Sequence, residues 1–392
     1  YRERLLPRAD LVTPNRREAE RLLDAAARPV PELAAALRAL GARAVAITGG
    51  DDASPAPGLA LDWLDSELAR GWLALPRLPS RHHHGSGCSF ASAAAAALAR
   101  GFPLPDAVLL AKMSAWCAVR DGYPAGAGVG PVRATAGFAL DPGALPVMGF
   151  DDELAPDAGT LARWGRVLRE AAAPPAMPEL GLYAICSSAE RVAELAAAGL
   201  PQIQLRIKQG PETAIDAEIR AALRAVEGHA SRLWINDHWR AALDAGASAL
   251  HLGQEDWAEL DDDARARLLA PGGPALGLSS HSLWELARAR GLAPAYIACG
   301  PVRPTLTKAM PWRPQGLDNL GWWVRMAGRP VVAIGGLLAP EQVADCAATG
   351  AAAACLVRAL DSPAPGLAAF RQAWAQGRSS PRPPPLPPHP SL

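Results

Sequence analysis

The chain has 392 residues, half of them hydrophobic, and its 39 Lys plus Arg balance 39 Asp plus Glu. That length exceeds one ordinary core and predicts two or three domains, while a net charge of zero argues against the broad basic footprint of nucleic-acid binding. No apolar run approaches the ~20 residues needed to cross a bilayer, and six scattered cysteines without a CxxC pair read as reduced thiols of a cytoplasmic protein.

The first residues, YRERLLPRADLVTPN, begin in mid-element: Leu5 and Leu6 read as the end of a helix and ADLVTPN as a strand leaving it. This predicts further sequence upstream. Asn15, followed three residues later by Glu18, is a capping-box pattern that starts a helix over NRREAERLL. A second amphipathic helix, PELAAALRAL, ends at Gly41 and leads into the strand RAVAITGG; LALDWL and GWLALPRL then alternate as an antiparallel pair.

In HHHGSGCSFASAAAAALAR, Gly85, Ser86 and Gly87 turn the backbone tightly just before an Ala-rich helix. Free amides and the helix dipole then converge on one spot, which suits an anion, although a plain Gly-rich helix start has the same spacing. His82 to His84 are adjacent and cannot all face one ion, which argues against metal there.

LVTPNRREAERLL, ITGG and HHHGSGCSFASAAAAALARGFPLPDAVLLAK together resemble the C-terminal half of the hydroxymethylpyrimidine and phosphomethylpyrimidine kinases, of the ribokinase-like fold. The resemblance implies an anion hole for the transferred phosphoryl group at Gly85 and Gly87, Cys88 in the catalytic position, and Asn15 and Glu18 near the ATP phosphates and their metal. Three departures stand against it. The family's N-terminal half is absent, Thr48 occupies the place of an expected Lys, and His82 and His83 replace an Asn and a Thr. The expectation is therefore a poor kinase or none, with ATP as cofactor only if this part is active.

The first domain is assigned to residues 1–137. Residues 138–178, rich in Pro, Gly and Ala around the helical LARWGRVLREAA, read as a linker. From 181 on, eight apolar runs (GLYAIC, QIQLR, RLWIN, ALHL, ALGLS, YIACG, VVAIG and AACLV) are each followed by a helical pattern. In the helix after QIQLR, for example, Ile215, Ile219, Leu223 and Val226 form one stripe. Eight such units over about 200 residues match a compact (βα)8 barrel at 179–376. The fold class is thus α/β, a TIM barrel preceded by a partial ribokinase-like domain. The tail 377–392, GRSSPRPPPLPPHPSL, is low in complexity and predicts disorder or polyproline.

Polar residues cluster at the C-terminal ends of the predicted strands: Arg206, Lys208, Asn236, Asp237, Asp256, Ser279, Thr305, Thr307, Lys308 and Gly336. A barrel brings such ends to one mouth, and cations, carboxylates and hydroxyls gathered there suit a phosphorylated substrate with a divalent metal. Singly, each has a plainer role. Asn236, Asp237 and Asp256 can cap helices, Thr305 to Lys308 can be a solvated loop, and Gly335 and Gly336 a turn. Five strand ends carrying such chemistry together favour the site.

QLRIK, INDHWR, HLGQED, LGLSSH, GPVRPTLTKAMPWRPQGL and VAIGG, in this order, resemble thiamine-phosphate synthase over essentially all of 179–376. The resemblance implies a transferase of thiamine biosynthesis that joins hydroxymethylpyrimidine diphosphate to a thiazole phosphate. It implies Mg²⁺ on Asp237 and Asp256, the diphosphate on Arg206, Lys208, Asn236 and Lys308 with Ser279 beside it, and the pyrimidine near Gln204 and His251. Thr305, Thr307 and the backbone at Gly336 and Val357 would hold the thiazole phosphate. Arg358 departs from the family's usual Ser. Two other readings stay open, a non-catalytic binder of thiamine intermediates and a bifunctional kinase and synthase truncated at its N-terminus. The implied partners are small molecules, with no nucleic acid or membrane, and the oligomeric state is open, a homo-oligomer included.

Overall fold

The computed structural model describes residues 1–50, 58–172, 176–305, 311–360 and 366–392. Contacts divide the chain into two units. Tyr1–Pro174, Ser282–Leu292 and Leu392 form the first, and Pro175–His281 with Ala293–Ser391 the second.

In the first unit, the Asn15 side chain accepts from the Glu18 N–H and the Glu18 carboxylate accepts from the Asn15 N–H, both at 2.9 Å. This box opens α1 (Arg16–Leu23). The preceding ADLVTPN is not an extended strand. It makes single bridges from Val12 to Val45 and from Asn15 to Thr48, since Pro14 has no N–H to give a ladder. Leu5 and Leu6 likewise lead into a 3-10 turn over Leu6–Arg8 rather than ending a helix.

α2 (Val30–Ala39) buries Leu33, Ala34 and Leu37 in a core that also holds Val45, Ile47 and Trp63. β1 (Val45–Ile47), β2 (Leu59–Asp65) and β3 (Arg70–Pro76) follow, and β2 and β3 pair antiparallel along their length, as their alternation predicts. α3 (Ser86–Ala99) and α4 (Leu104–Arg120) come next. A buried ion pair ties α4 to the sheet: Lys112 meets Asp62 at 2.9 Å, and Asp62 also accepts the Gly49 N–H at 3.0 Å.

The stretch expected to be a linker contains regular structure. β4 (Val147–Met148) completes a four-stranded sheet by pairing with β3, and α5 (Ala158–Ala172) buries Trp164, Val167 and Leu168. Apolar residues at helical spacing outweigh a Pro- and Gly-rich composition here.

The second unit is a closed parallel barrel of eight strands. In chain order it comprises β5 (Gly181–Cys186), α6 (Ala189–Ala197), β6 (Gln202–Leu205), α7 (Glu212–Ala225), β7 (Arg232–Asn236), α8 (Trp239–Asp244), β8 (Ala249–Leu252), α9 (Gln254–Ala258), α10 (Asp262–Leu269) and β9 (Ala275–Ser280). After β9 the chain enters α11 (Leu283–Gly291), which groups with the first unit. The barrel resumes with β10 (Tyr296–Cys299), α12 (Gly316–Met326), β11 (Val331–Ala333), α13 (Pro340–Ala348), β12 (Ala353–Leu356) and α14 (Leu367–Ser379). All eight predicted strands are present, and β12 pairs with β5 to close the ring. Tyr183, Trp234, Tyr296, Val332 and Cys355 pack its interior.

The Pro-rich tail, expected to be disordered or polyproline, has no helix or strand over 381–392 but makes defined contacts near its end, where the Ser391 carbonyl accepts the Arg313 N–H at 2.9 Å. Prolines lose a donor but keep their carbonyls, and the residues among them bond normally. Among the described residues no helix is long and apolar enough to cross a membrane.

Candidate active site

The barrel mouth holds a cavity of about 240 Å³ at the strand ends where such barrels carry their sites. Its walls include Gln204, Arg206, Asn236, Asp237, His251, Asp256, Ser279, Thr305, Gly336 and Val357, so ten residues scattered in sequence share one space. Lys208 is not among them. β6 stops at Leu205, and Lys208 lies exposed three residues beyond its end. Thr307 and Lys308 lie outside the described residues.

One end of the cavity is acidic. Asp237 follows β7 with φ +61°, a left-handed conformation that Asp and Asn tolerate better than other non-Gly residues. The turn is stitched on both sides: the Asp237 N–H donates to the His251 carbonyl at 3.0 Å, and His238 Nε2 donates to the Ile207 carbonyl at 2.9 Å. On a separate element, Asp256 accepts the Gly253 N–H at 2.8 Å. Burial first, and then the Asp256 charge and hydrogen bond, push the Asp237 carboxyl up to about 6, against the pull of Arg206. Beside them the Asn236 side-chain amide nitrogen is buried and has no hydrogen-bond partner among the described residues. A buried unpaired donor is costly and points to an acceptor supplied by a ligand.

The floor is a hydrogen-bond chain through the barrel interior. Gln204 Nε2 donates to the Tyr183 hydroxyl at 3.2 Å, the Tyr183 and Tyr296 hydroxyls meet at 2.7 Å, and Tyr296 meets His251 Nδ1 at 2.7 Å. His251 Nε2 then meets Ser279 Oγ at 2.9 Å. Running the donors from Gln204 to Ser279 satisfies every member and leaves the Ser279 hydroxyl hydrogen free for the cavity. Burial, aided by the Arg206 charge, lowers His251 to about 3, so its imidazole is neutral near pH 7 and acts as a hydrogen-bonding group. Tyr183 and Tyr296, whose phenols burial holds protonated, escaped the sequence reading. Aromatic residues with a polar tip at inward strand positions were the available signal.

The opposite end is built from backbone. A Cβ at Gly336, φ +71°, would lie 2.6 Å from the Pro304 carbonyl oxygen and 2.7 Å from Arg303 Cβ. Only glycine lets this loop come so close to the segment carrying Thr305. Arg358 follows Val357 into a 3-10 turn, lines this end and makes no ion pair among the described residues.

In the first unit, Gly85 at φ +90° caps α3, with Cys88 exposed in the first turn. Asn15 and Glu18 bond to each other's backbone, the helix-cap geometry.

A closed (βα)8 barrel whose strand ends gather polar side chains, a glycine loop and Arg358 around one cavity at its mouth has the architecture of an enzyme of the TIM-barrel class. The family profile described as Thiamine monophosphate synthase matches residues 182–360, and that described as Phosphomethylpyrimidine kinase matches residues 1–133. The thiamine-phosphate synthase of Neisseria meningitidis serogroup B is 42% identical over 205 residues, covering 51% of this chain and 98% of that protein. The chain belongs to the thiamine-phosphate synthase family. Among solved structures, thiamine phosphate pyrophosphorylase from Pyrococcus furiosus is 27% identical over 51% of this chain and 94% of that one, with a TM-score of 0.42. Pyridoxal kinase from Staphylococcus aureus, in complex with ADP, is 31% identical over 34% of this chain, with a TM-score of 0.31; the match spans 49%, about half, of that kinase.

Proposed function

We propose that the barrel condenses hydroxymethylpyrimidine diphosphate with a thiazole phosphate to give thiamine phosphate and diphosphate. The orphan Asn236 amide beside Asp237 and Asp256 carries this reading, because it equips one end of the cavity for an anionic oxygen next to a cation. In the reaction the bond from the pyrimidine methylene to the diphosphate oxygen breaks, and its electron pair leaves with the diphosphate. The thiazole nitrogen then donates its lone pair to the methylene carbon. The chain must neutralise the leaving group and orient two rings, and acid-base work is small.

Asp237 and Asp256 fit Mg²⁺, which takes one or two carboxylates together with substrate phosphates; bound there, it would neutralise charge on the departing diphosphate. Arg206 and the Asn236 amide serve the same oxygens, with Lys208 and Lys308 assigned to them from the sequence. Ser279 donates to this end through its free hydroxyl. Gln204 and the neutral His251 orient the pyrimidine. Thr305, the Gly336 and Val357 backbone and, from the sequence, Thr307 receive the thiazole phosphate.

Incubating the chain with both substrates and Mg²⁺ should yield thiamine phosphate and diphosphate in equal amounts. A folded chain that yields neither would refute the reading.

Arg358 belongs to the thiazole end in this scheme. Replacing it with Ser, the family's usual residue, should raise the KM for thiazole phosphate about tenfold, the size of one charge-assisted hydrogen bond. The KM for the pyrimidine diphosphate should stay within about twofold. Steady-state kinetics on Arg358→Ser decide the matter, and an unaltered thiazole KM removes Arg358 from the site.

The first unit is read as a kinase part weakened by Thr48, His82 and His83 in place of the expected Lys, Asn and Thr, with an anion cradle at Gly85, Gly87 and Cys88 and with Asn15 and Glu18 acting as a helix cap. ATP and hydroxymethylpyrimidine phosphate should give little or no diphosphate product with residues 1–392; its rapid formation would assign kinase activity to residues 1–133.

A further inference from the structure

The Pro-rich tail ends on the segment that follows the thiazole side of the cavity, and its contacts converge on Gln315. The Gln315 N–H donates to the Pro301 carbonyl at 2.7 Å and the Gly316 N–H to the Val302 carbonyl at 2.9 Å. The Gln315 side-chain amide donates to the His281 carbonyl at 2.6 Å, and its carboxamide oxygen accepts from Asn319 at 2.9 Å. The remaining acceptor, the Gln315 main-chain carbonyl, takes a hydrogen bond at 2.9 Å from Nε2 of His389, in the tail. Gln315 is fully buried and satisfied only with the tail in place.

Asn319 holds the tail by its backbone. Its carboxamide donates to the His389 carbonyl at 3.0 Å and accepts the His389 N–H at 2.9 Å, the pair of bonds that a neighbouring β-strand would make. Such pairing fixes one residue in register instead of covering a surface loosely. Two residues on, the Ser391 carbonyl receives the Arg313 N–H. The adjacent Trp312 stacks on His281 with rings 5.8 Å apart and 6° from parallel. His281 and Pro301 both line the cavity, as does Thr305, so His389 reaches the site wall through Gln315, and Ser391 through Arg313 and the neighbouring Trp312.

We propose that Pro388 to Ser391 form a strap which, through Asn319 and Gln315, positions the wall that receives the thiazole phosphate. Asn319 and His389 are positioning residues in this scheme and touch no substrate. The proposal rests on the assignment of the Thr305 side to the thiazole phosphate. Its consequence is uneven: loosening the strap displaces the Thr305 side most and leaves Asp237 and Asp256, on other elements, as they were, and small displacements of a binding group carry large kinetic costs.

The test uses residues 1–392 with Asn319→Ala, which removes the paired bonds to residue 389, or with His389→Ala, which removes the bond to the Gln315 carbonyl. Asn319→Ala should raise the KM for thiazole phosphate about tenfold and His389→Ala by less, with kcat and the pyrimidine KM within about twofold. Hydrogen exchange at the Gln315 and Gly316 amides should accelerate in the same order. A merely stabilising tail would speed exchange and lower the melting temperature without separating the two KM values, and that result overturns the proposal. A supplement of free peptide with the sequence of residues 381–392, added to a chain ending at Ser380, should restore the thiazole KM; no restoration in a folded truncated chain also counts against the strap. If the unaltered chain forms no thiamine phosphate, the reaction assignment has failed, and exchange alone then judges the strap: unchanged rates in Asn319→Ala overturn it.

Discussion

Asp237→Asn is expected to reduce turnover by about 10²- to 10³-fold, the usual cost of removing one preorganised electrostatic group from a site where charge develops. Asn is the cleaner probe than Ala because it tolerates the left-handed backbone at φ +61°, where Ala adds strain. The same substitution should slightly raise the melting temperature of the metal-free chain. Asp237 and Asp256 reach one cavity from different elements, and two carboxylates held together without a cation repel one another. Added Mg²⁺ should stabilise the parent more than the variant, since a ligand that binds only the folded state raises stability by mass action. Activity and metal-dependent stability thus respond through separate readouts. Unchanged turnover, or equal stabilisation of both chains by Mg²⁺, would take Asp237 out of the proposed metal pair.

The barrel was legible because a parallel strand buried on both faces reads as a short continuous apolar run, and eight such runs recur from GLYAIC to AACLV. Its mouth was legible because polar residues interrupt those runs just where the strands end. Where each strand stops was less legible: QLRIK groups Lys208 with Arg206 among the strand-end cations, whereas β6 stops at Leu205 and Lys208 is exposed and off the cavity wall. It was silent on Tyr183 and Tyr296 because Tyr183 lies inside β5 and Tyr296 opens β10, away from the polar strand ends, and their phenol oxygens link Gln204 to His251 inside the barrel. No local pattern marks a bond between residues 113 positions apart. Composition misled in two places. Pro and Gly content suggested a linker where Trp164 is buried, and a disordered or polyproline tail where Asn319 holds the backbone of His389.

In the first unit, Asp106→Asn should abolish a marked loss of stability that the parent suffers as the pH rises from about 5 to 8. Asp106 is fully buried in α4. One carboxyl oxygen accepts the Trp284 N–H at the start of α11 at 2.9 Å, and the other has no hydrogen-bond partner among the described residues. Burial raises its pKa from 3.8 to about 8; the backbone N–H groups of Trp284 and Leu283 oppose that shift only in part, and the Glu285 charge adds to it. Between these two values the folded protein keeps a proton that the unfolded chain has released. Folding therefore takes up a proton across this interval, and stability is highest below the unfolded pKa and falls as the pH climbs toward the folded one. At about 1.4 kcal/mol per unit, the full span amounts to on the order of 5 kcal/mol, a large share of a typical domain's stability. Asn keeps an oxygen for the Trp284 N–H and cannot ionise, so its stability should be nearly flat over the same range, above the parent's at pH 8. Urea denaturation of both chains at pH 5 and pH 8 measures the difference. Equal pH dependence in the two would mean that Asp106 is ionised in the folded state, with the amides at the start of α11 compensating its charge.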